Sequence, residues 1–170
     1  TRAGVVVYDG QSWEPVCEPS GAAITDVVGI RFDSQGRTWL VQSNTRMLYG
    51  APGAFSIVPA LDADRPQPPA LDLTLWPSPA GPRLALATYE GKLFVSDGTK
   101  WTHVGAVDAS LGTLREVESW GERLFVGTDA GLWELTEDLS AARSVPLPPG
   151  AEPAVRGLLF DASEDEERLW

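Results

Sequence analysis

Apolar residues in this chain come in bursts of four to eight, broken by glycine- and proline-marked turns. No stretch keeps the period of a long amphipathic helix. Val5-Val6-Val7-Tyr8 is β-branched and apolar, and Asp9-Gly10 after it is a hairpin signal. Ser12 to Val16 predicts the returning strand, which Pro15 confines to a sheet edge. Ile24 to Phe32 is apolar enough to predict a strand buried on both faces. Asp33-Ser34-Gln35-Gly36 predicts a tight turn, with Gly36 at positive φ. Strands over Trp39 to Gln42 and Arg46 to Tyr49 follow, joined across Ser43-Asn44-Thr45, and Phe55 to Val58 completes a set of four.

That order repeats. Beyond the proline-rich loop Ala60 to Ala70, strands are predicted over Leu71 to Trp76, Arg83 to Thr88, Lys92 to Ser96 and Trp101 to Val104. A third set covers Leu114 to Ser119, Arg123 to Thr128, Leu132 to Leu135 and Ala142 to Val145. A fourth opens with Val155 to Phe160 and enters Arg168-Leu169-Trp170, where the sequence stops. Gly81-Pro82-Arg83-Leu84-Ala85-Leu86-Ala87-Thr88-Tyr89-Glu90-Gly91 and Gly121-Glu122-Arg123-Leu124-Phe125-Val126-Gly127-Thr128-Asp129-Ala130-Gly131 share Gly-x-Arg-Leu-x-apolar-small-Thr-x-x-Gly. Thr38, Arg83, Arg123 and Arg168 hold equivalent places, spaced by 40 to 45 residues.

Units of this size with four antiparallel strands are the mark of propeller blades. The expected fold is all-β: a four-bladed β-propeller, one domain over residues 1–170. Its repeats are 24–59, 70–106, 113–147, and 154–170 continued by 1–17. In this reading the N- and C-terminal strands pair to close the ring, with Thr1-Arg2-Ala3-Gly4-Val5 continuing Arg168-Leu169-Trp170 as Thr128 to Leu132 continues Arg123 to Phe125. Closure removes the sheet edge that an open array exposes. The alternatives are a half or fragment of a six- to eight-bladed propeller, and two chains forming one eight-bladed ring.

Ile30-Arg31-Phe32-Asp33-Ser34-Gln35-Gly36-Arg37-Thr38-Trp39-Leu40-Val41 resembles the two-component-regulator propeller repeat, whose pattern is apolar-x-x-Asp-x-x-Gly-x-apolar-Trp-apolar-Gly-Thr. Leu158-Leu159-Phe160-Asp161 with Arg168-Leu169-Trp170 looks like another copy with a longer turn, and Gly127-Thr128 and Gly131-Leu132 supply the pattern's second half. Gln42-Ser43 departs from the Gly-Thr pair, and the third unit has Leu124-Phe125 around the Trp position. The resemblance implies a sensory or ligand-binding module attached to signalling domains. The Gly-His and Trp-Asp pairs of a WD40 blade are missing.

Composition narrows the partners. A net charge of −11 and a pI near 4.4 over 170 residues disfavour nucleic acid and anionic membrane surfaces, whose phosphates repel such a chain. No run reaches the ~18 apolar residues of a membrane-spanning helix, so no membrane insertion is expected. Seven Trp recur within the repeats. Trp39, Trp76, Trp120 and Trp133 are expected to pack between blades, and Trp13 and Trp101 follow their turns identically. Cys17 is the single cysteine and forms no intramolecular disulfide.

Candidate chemistry is sparse. His103 is the one histidine, on an outer strand, and no Gly-x-Ser-x-Gly nucleophile elbow occurs. Asp62-x-Asp64 and the acidic run Asp161 to Glu167 lack calcium-loop spacing, so no metal or other cofactor is expected, save a cation held by backbone carbonyls in a propeller channel. Propeller loops between second and third strands share one face, which places Arg2, Asn44, Tyr89 and Asp129 at matching positions around one mouth. They differ in chemistry while the scaffold repeats, as a grafted site does. The expected function is a non-catalytic binding module, monomer or homodimer, presenting this face to a partner protein or small ligand. A ligand-sensing domain of a larger signalling protein is the second reading. A lyase or hydrolase using channel-mouth carboxylates is the third.

Overall fold

The short apolar bursts fold as antiparallel strands. The computed structural model describes residues 4–8, 10–51, 53–61, 70–158, 160–161 and 168–169. Among them the strands form three four-stranded sheets and two two-stranded ones, and helix is limited to a 3-10 turn at Ala109–Leu111. The chain is all-β. It divides into two compact units, Thr1–Pro69 with Gly98–Lys100, and Ala70–Asp97 with Trp101–Trp170.

In the first unit, β1 (Val5–Tyr8) pairs with β2 (Trp13–Val16) as a two-stranded sheet. Tyr8 lies opposite Trp13, and both rings are exposed. The four-stranded sheet runs in chain order through β3 (Val27–Phe32), β4 (Thr38–Gln42), β5 (Met47–Ala51) and β6 (Ala54–Val58). Its central β4 is buried along its whole length, and Leu40, Leu48 and Phe55 pack with Val16 and Ile24 in one core. β3 departs from the expected double burial, because Val28 and Phe32 are exposed. It is an edge strand, and its start is delayed to Val27 by a positive φ of 55° at Asp26 and a register shift before Gly29. Ile24 stays fully buried but outside the strand.

The turn after β3 explains the Asp-x-x-Gly-x-x-Trp pattern. The Asp33 carboxylate accepts from the backbone N–H groups of Gln35 (2.9 Å) and Arg37 (3.0 Å), from Arg37 Nε (2.7 Å) and from Trp39 Nε1 (3.2 Å). Burial alone would push its carboxyl up, yet these donors together hold it below the usual range. The Trp39 ring then stacks on Tyr49 at 4.1 Å. The motif is a buried carboxylate cage that fixes the hairpin and seats the indole, and its part is structural.

In the second unit, one sheet comprises β7 (Ala70–Ser78), β8 (Gly81–Thr88), β9 (Leu93–Ser96) and β10 (Trp101–His103). The other comprises β11 (Leu114–Trp120), β12 (Arg123–Thr128), β13 (Gly131–Leu135) and β14 (Ala142–Val145). Both contribute to one core, in which Trp76, Leu93, Leu114, Val117, Leu124 and Val126 are buried. Hydrogen bonds stitch β7 to β11. Asp72 Oδ2 accepts from the Val117 N–H at 2.9 Å, and Thr74 Oγ1 donates to Glu118 Oε1 at 2.8 Å. Ser119 Oγ donates to the Leu75 carbonyl at 2.7 Å, and Trp76 Nε1 reaches the Glu122 carbonyl, in the turn after β11, at 2.7 Å.

The expected strand over Val155 to Phe160 is replaced by two different structures. Residues 155–158 run outside any strand, as a strap held by a bond from the Val155 N–H to the Thr128 carbonyl at 2.9 Å. Val155 packs so close to Gly127 that a Cβ there would stand 2.7 Å from its Cγ1. Val155 and Leu158 join Phe125 and Leu132 in a small core. Only then does β15 (Phe160–Asp161) pair with β16 (Arg168–Leu169). The strap's apolar residues made it look like a strand, but they serve side-chain packing rather than a backbone ladder. The ends of the expected closure, Thr1, Arg2 and Trp170, lie outside the described residues.

Candidate functional site

Two of the repeated turns share one geometry. In Gln42–Arg46 the Thr45 N–H donates to the Gln42 carbonyl at 2.8 Å and the Gln42 N–H to the Arg46 carbonyl at 2.9 Å. In Thr88–Lys92 the Gly91 N–H reaches the Thr88 carbonyl at 2.9 Å and the Thr88 N–H the Lys92 carbonyl at 3.0 Å. The residue two before the return strand is left-handed in each, Thr45 at φ 64° and Gly91 at 77°. The third turn keeps the Thr-x-x-Gly spacing but differs in form. Thr128 pairs directly with Gly131, leaving only Asp129 and Ala130 at the tip.

Of the residues expected at a binding face, Arg2 lies outside the described residues. Asn44 belongs to the first unit, is exposed, and accepts from the Arg46 N–H at 3.0 Å. Arg46 in turn forms a two-pronged pair with Glu18, whose carboxyl its guanidinium holds below the usual range. Tyr89 and Asp129 belong to the second unit, where both are exposed. Asp129, together with Glu90 and Gly91 from the Tyr89 turn, lines an open groove of about 350 Å³. Ala109, Gly112 and Thr113 form its other wall.

That wall is the part sequence reasoning missed. Asp108 caps the 3-10 turn, its Oδ1 accepting from the Ser110 N–H at 2.8 Å. Gly112 has φ 94°, and a Cβ on it would lie 2.5 Å from Asp129 Oδ1, so only glycine lets the two loops approach this closely. The approach fixes Asp129. Its Oδ1 accepts from the Thr113 N–H at 2.7 Å, and its own N–H donates to the Thr113 carbonyl at 3.1 Å. The backbone and hydroxyl of Thr113 hold the Asp129 carboxyl below the usual range, helped by Arg115, whose Nη2 lies 4.0 Å from Oδ2. Beneath it, buried Thr128 donates from Oγ1 to the Leu111 carbonyl at 2.7 Å and accepts from the Ala130 N–H at 3.1 Å and Trp133 Nε1 at 3.3 Å. Asp108-x-Ser110 and Gly112 are the sequence signals that mark this loop.

A second polar group sits on β7 and β11. Asp72, Glu116 and Glu118 occupy alternate positions of these strands, and their charges interact. Burial, then the charges of Asp72 and Glu118, push the Glu116 carboxyl up to about 7, against the Leu158 N–H that donates to it. Asp72 and Glu118 already accept from backbone and hydroxyl donors, so this group works as a fastener between sheets. Among the described residues, no group of three or more His, Cys, Asp or Glu is placed to hold a metal ion. Asp62, Asp64 and the run 162–167 lie outside them. His103 packs its ring 5.2 Å from Phe94 on the edge strand β10. Cys17 has a free, partly buried thiol. Among the described residues no helix is long and apolar enough to cross a membrane.

These features define an all-β protein of repeated four-stranded antiparallel sheets, with an acidic groove at the turns of one unit. No protein-family model and no curated protein matches the chain. Among solved structures it is similar to the extracellular domain of the putative one component system BT4673 from B. thetaiotaomicron, at a TM-score of 0.57 and 16% identity. The match covers 95% of this chain and 22% of that one, so the chain spans about a fifth of the neighbour's length. At that identity the likeness is one of fold.

Proposed function

We propose that the chain is a non-catalytic β-propeller module that binds a ligand at its turn-bearing face, as the sensing part of a signalling protein does. The groove between the Tyr89 turn, the Asp129 turn and loop 108–113 carries this reading. It is preorganised by backbone bonds, and it is open. The neighbour's description as the extracellular domain of a one component system supports the sensory assignment, as does the resemblance of the Asp33–Trp39 segment to two-component-regulator propeller repeats.

The reading includes the finer fold. Three sheets have four strands, while β1–β2 and β15–β16 are each half a repeat. In a four-bladed ring β1 takes β16 as its second neighbour, which protects every backbone amide of Val5–Tyr8 from hydrogen exchange. Deleting residues 168–170 then exposes alternate amides of β1, and unchanged protection would rule the closure out.

Ligand binding is tested by thermal shift against a panel of amines, amino acids, oligosaccharides and nucleotides. A ligand at 100 times its Kd adds about 2.7 kcal/mol, several degrees for a domain of this size. The shift should vanish in a Tyr89→Ala, Asp129→Asn double variant that melts as the parent does. An equal shift in that variant would place binding elsewhere and defeat the proposal.

A further inference from the structure

The groove's own hydrogen-bonding inventory selects its ligand. Four of the backbone N–H groups on its lining are already committed: Gly91 to the Thr88 carbonyl, Gly112 to the Ala109 carbonyl, Asp129 to the Thr113 carbonyl, and Thr113 to Asp129 Oδ1. The charged side chains on the lining, Glu90 and Asp129, are both acceptors. A carboxylate has about four acceptor sites, and Asp129 Oδ2 has Arg115 only at 4.0 Å. Glu90 is met by Lys92 at 3.3 Å, with both side chains about half exposed, an ion pair worth little and easily exchanged. Tyr89, beside Glu90 in the same turn, offers an exposed ring of the kind that attracts cations. The chain's net charge of −11 steers positive ligands toward the protein.

We infer that the groove formed by Glu90, Gly112, Thr113 and Asp129 recognises a primary ammonium group, with Asp129 Oδ2 and Glu90 accepting its protons and Tyr89 flanking it. This rests on the proposed binding role of the same face and names its ligand class. The ammonium belongs either to a lysine side chain of a partner protein or to a small free amine. Thr128 is a positioning residue, since it holds the Leu111 carbonyl and so the wall that fixes Asp129.

Isothermal titration at low salt tests this with three probes: cadaverine, a blocked Gly-Lys-Gly peptide, and the same peptide with its lysine acetylated. Backbone NMR shifts of Glu90, Gly91 and Thr113 report the location. The expected result is binding of the lysine peptide that shifts these resonances. Its affinity should fall at least tenfold on acetylation and in Glu90→Gln, Asp129→Asn. That variant keeps an Oδ1 acceptor for the Thr113 N–H, and its melting temperature verifies the fold. Cadaverine binding equally well makes a free amine the source, and cadaverine failing makes it a partner's lysine. Undiminished binding by the double variant would overturn the inference, since attraction to the acidic surface at large then suffices. If no amine moves the groove resonances but a neutral trisaccharide or a glutamate peptide does, the ammonium assignment falls and the binding face stands. If none of these probes moves them, both fall.

Discussion

Replacing Glu116 by glutamine gives a stability change that depends on pH in a calculable way. The Glu116 carboxyl is raised from an ordinary 4.5 to about 7 by burial and by the charges of Asp72 and Glu118. Between those values the folded chain holds a proton that the unfolded chain releases, so this group makes stability fall as pH rises from about 4.5 to about 7. At somewhat over about 1 kcal/mol per pH unit, the upper bound is about 3 kcal/mol. Glu116 is only partly buried, and solvent screening reduces that to roughly 1–2 kcal/mol. Glutamine keeps an oxygen for the Leu158 N–H and carries no charge. Urea unfolding followed by tryptophan fluorescence at pH 5, 6, 7 and 8 should find parent and Glu116→Gln nearly equal at pH 5. At pH 8 the variant should be more stable by roughly 1–2 kcal/mol. In an Asp72→Asn background the midpoint of this divergence should move to lower pH. A parent–variant difference that stays constant from pH 5 to 8 would refute the account of the β7–β11 contact.

Other perturbations follow from packing and hydrogen bonding. Gly98→Ala puts a Cβ 2.5 Å from the Tyr49 ring at a φ of 93°, and should cost about 1–3 kcal/mol, seen as a lower melting temperature. Asp33→Asn weakens the bonds to Arg37 and Trp39, and about 1.5–3 kcal/mol of stability should be lost at pH 7. Because the Asp33 carboxyl is lowered, its contribution is present above the unfolded value near 3.9 and fades as pH falls through the folded one. The difference between parent and Asp33→Asn should therefore shrink in acid unfolding below about pH 4. Thr128→Val strips Leu111, Ala130 and Trp133 of a shared partner. It should cost about 1–3 kcal/mol and speed amide exchange across 109–113.

The strands were legible because their apolar residues come in short bursts and their turns carry glycine: β12 and β14 begin and end at the residues the pattern names. The pattern failed where apolar residues serve something other than a ladder. Val155 and Leu158 pack as a strap, and Val28 faces solvent on an edge strand. Thr-x-x-Gly was read as one turn, although Thr88–Gly91 and Thr128–Gly131 close differently, since register rather than composition decides. Repeat position alone pointed to the Tyr89 and Asp129 turns, which border the groove. The opposite wall was missed, because loop 108–113 has no counterpart in the repeat. The Asp72–Glu116–Glu118 group escaped for a related reason: strands 44 residues apart in sequence meet only in the folded chain.

The β1–β2 hairpin carries a practical consequence. Val6, Val7, Tyr8 and Trp13 are all exposed on it, and β1 pairs on one side only among the described strands. Once β16 is removed, as in the 168–170 deletion, this apolar edge recruits whatever extended chain is near, including that of a neighbouring molecule. Concentrated samples of that deletion variant should therefore drift into strand-exchanged dimers or insoluble fibres, and lysine at Val7 would act as a gatekeeper that keeps it monodisperse.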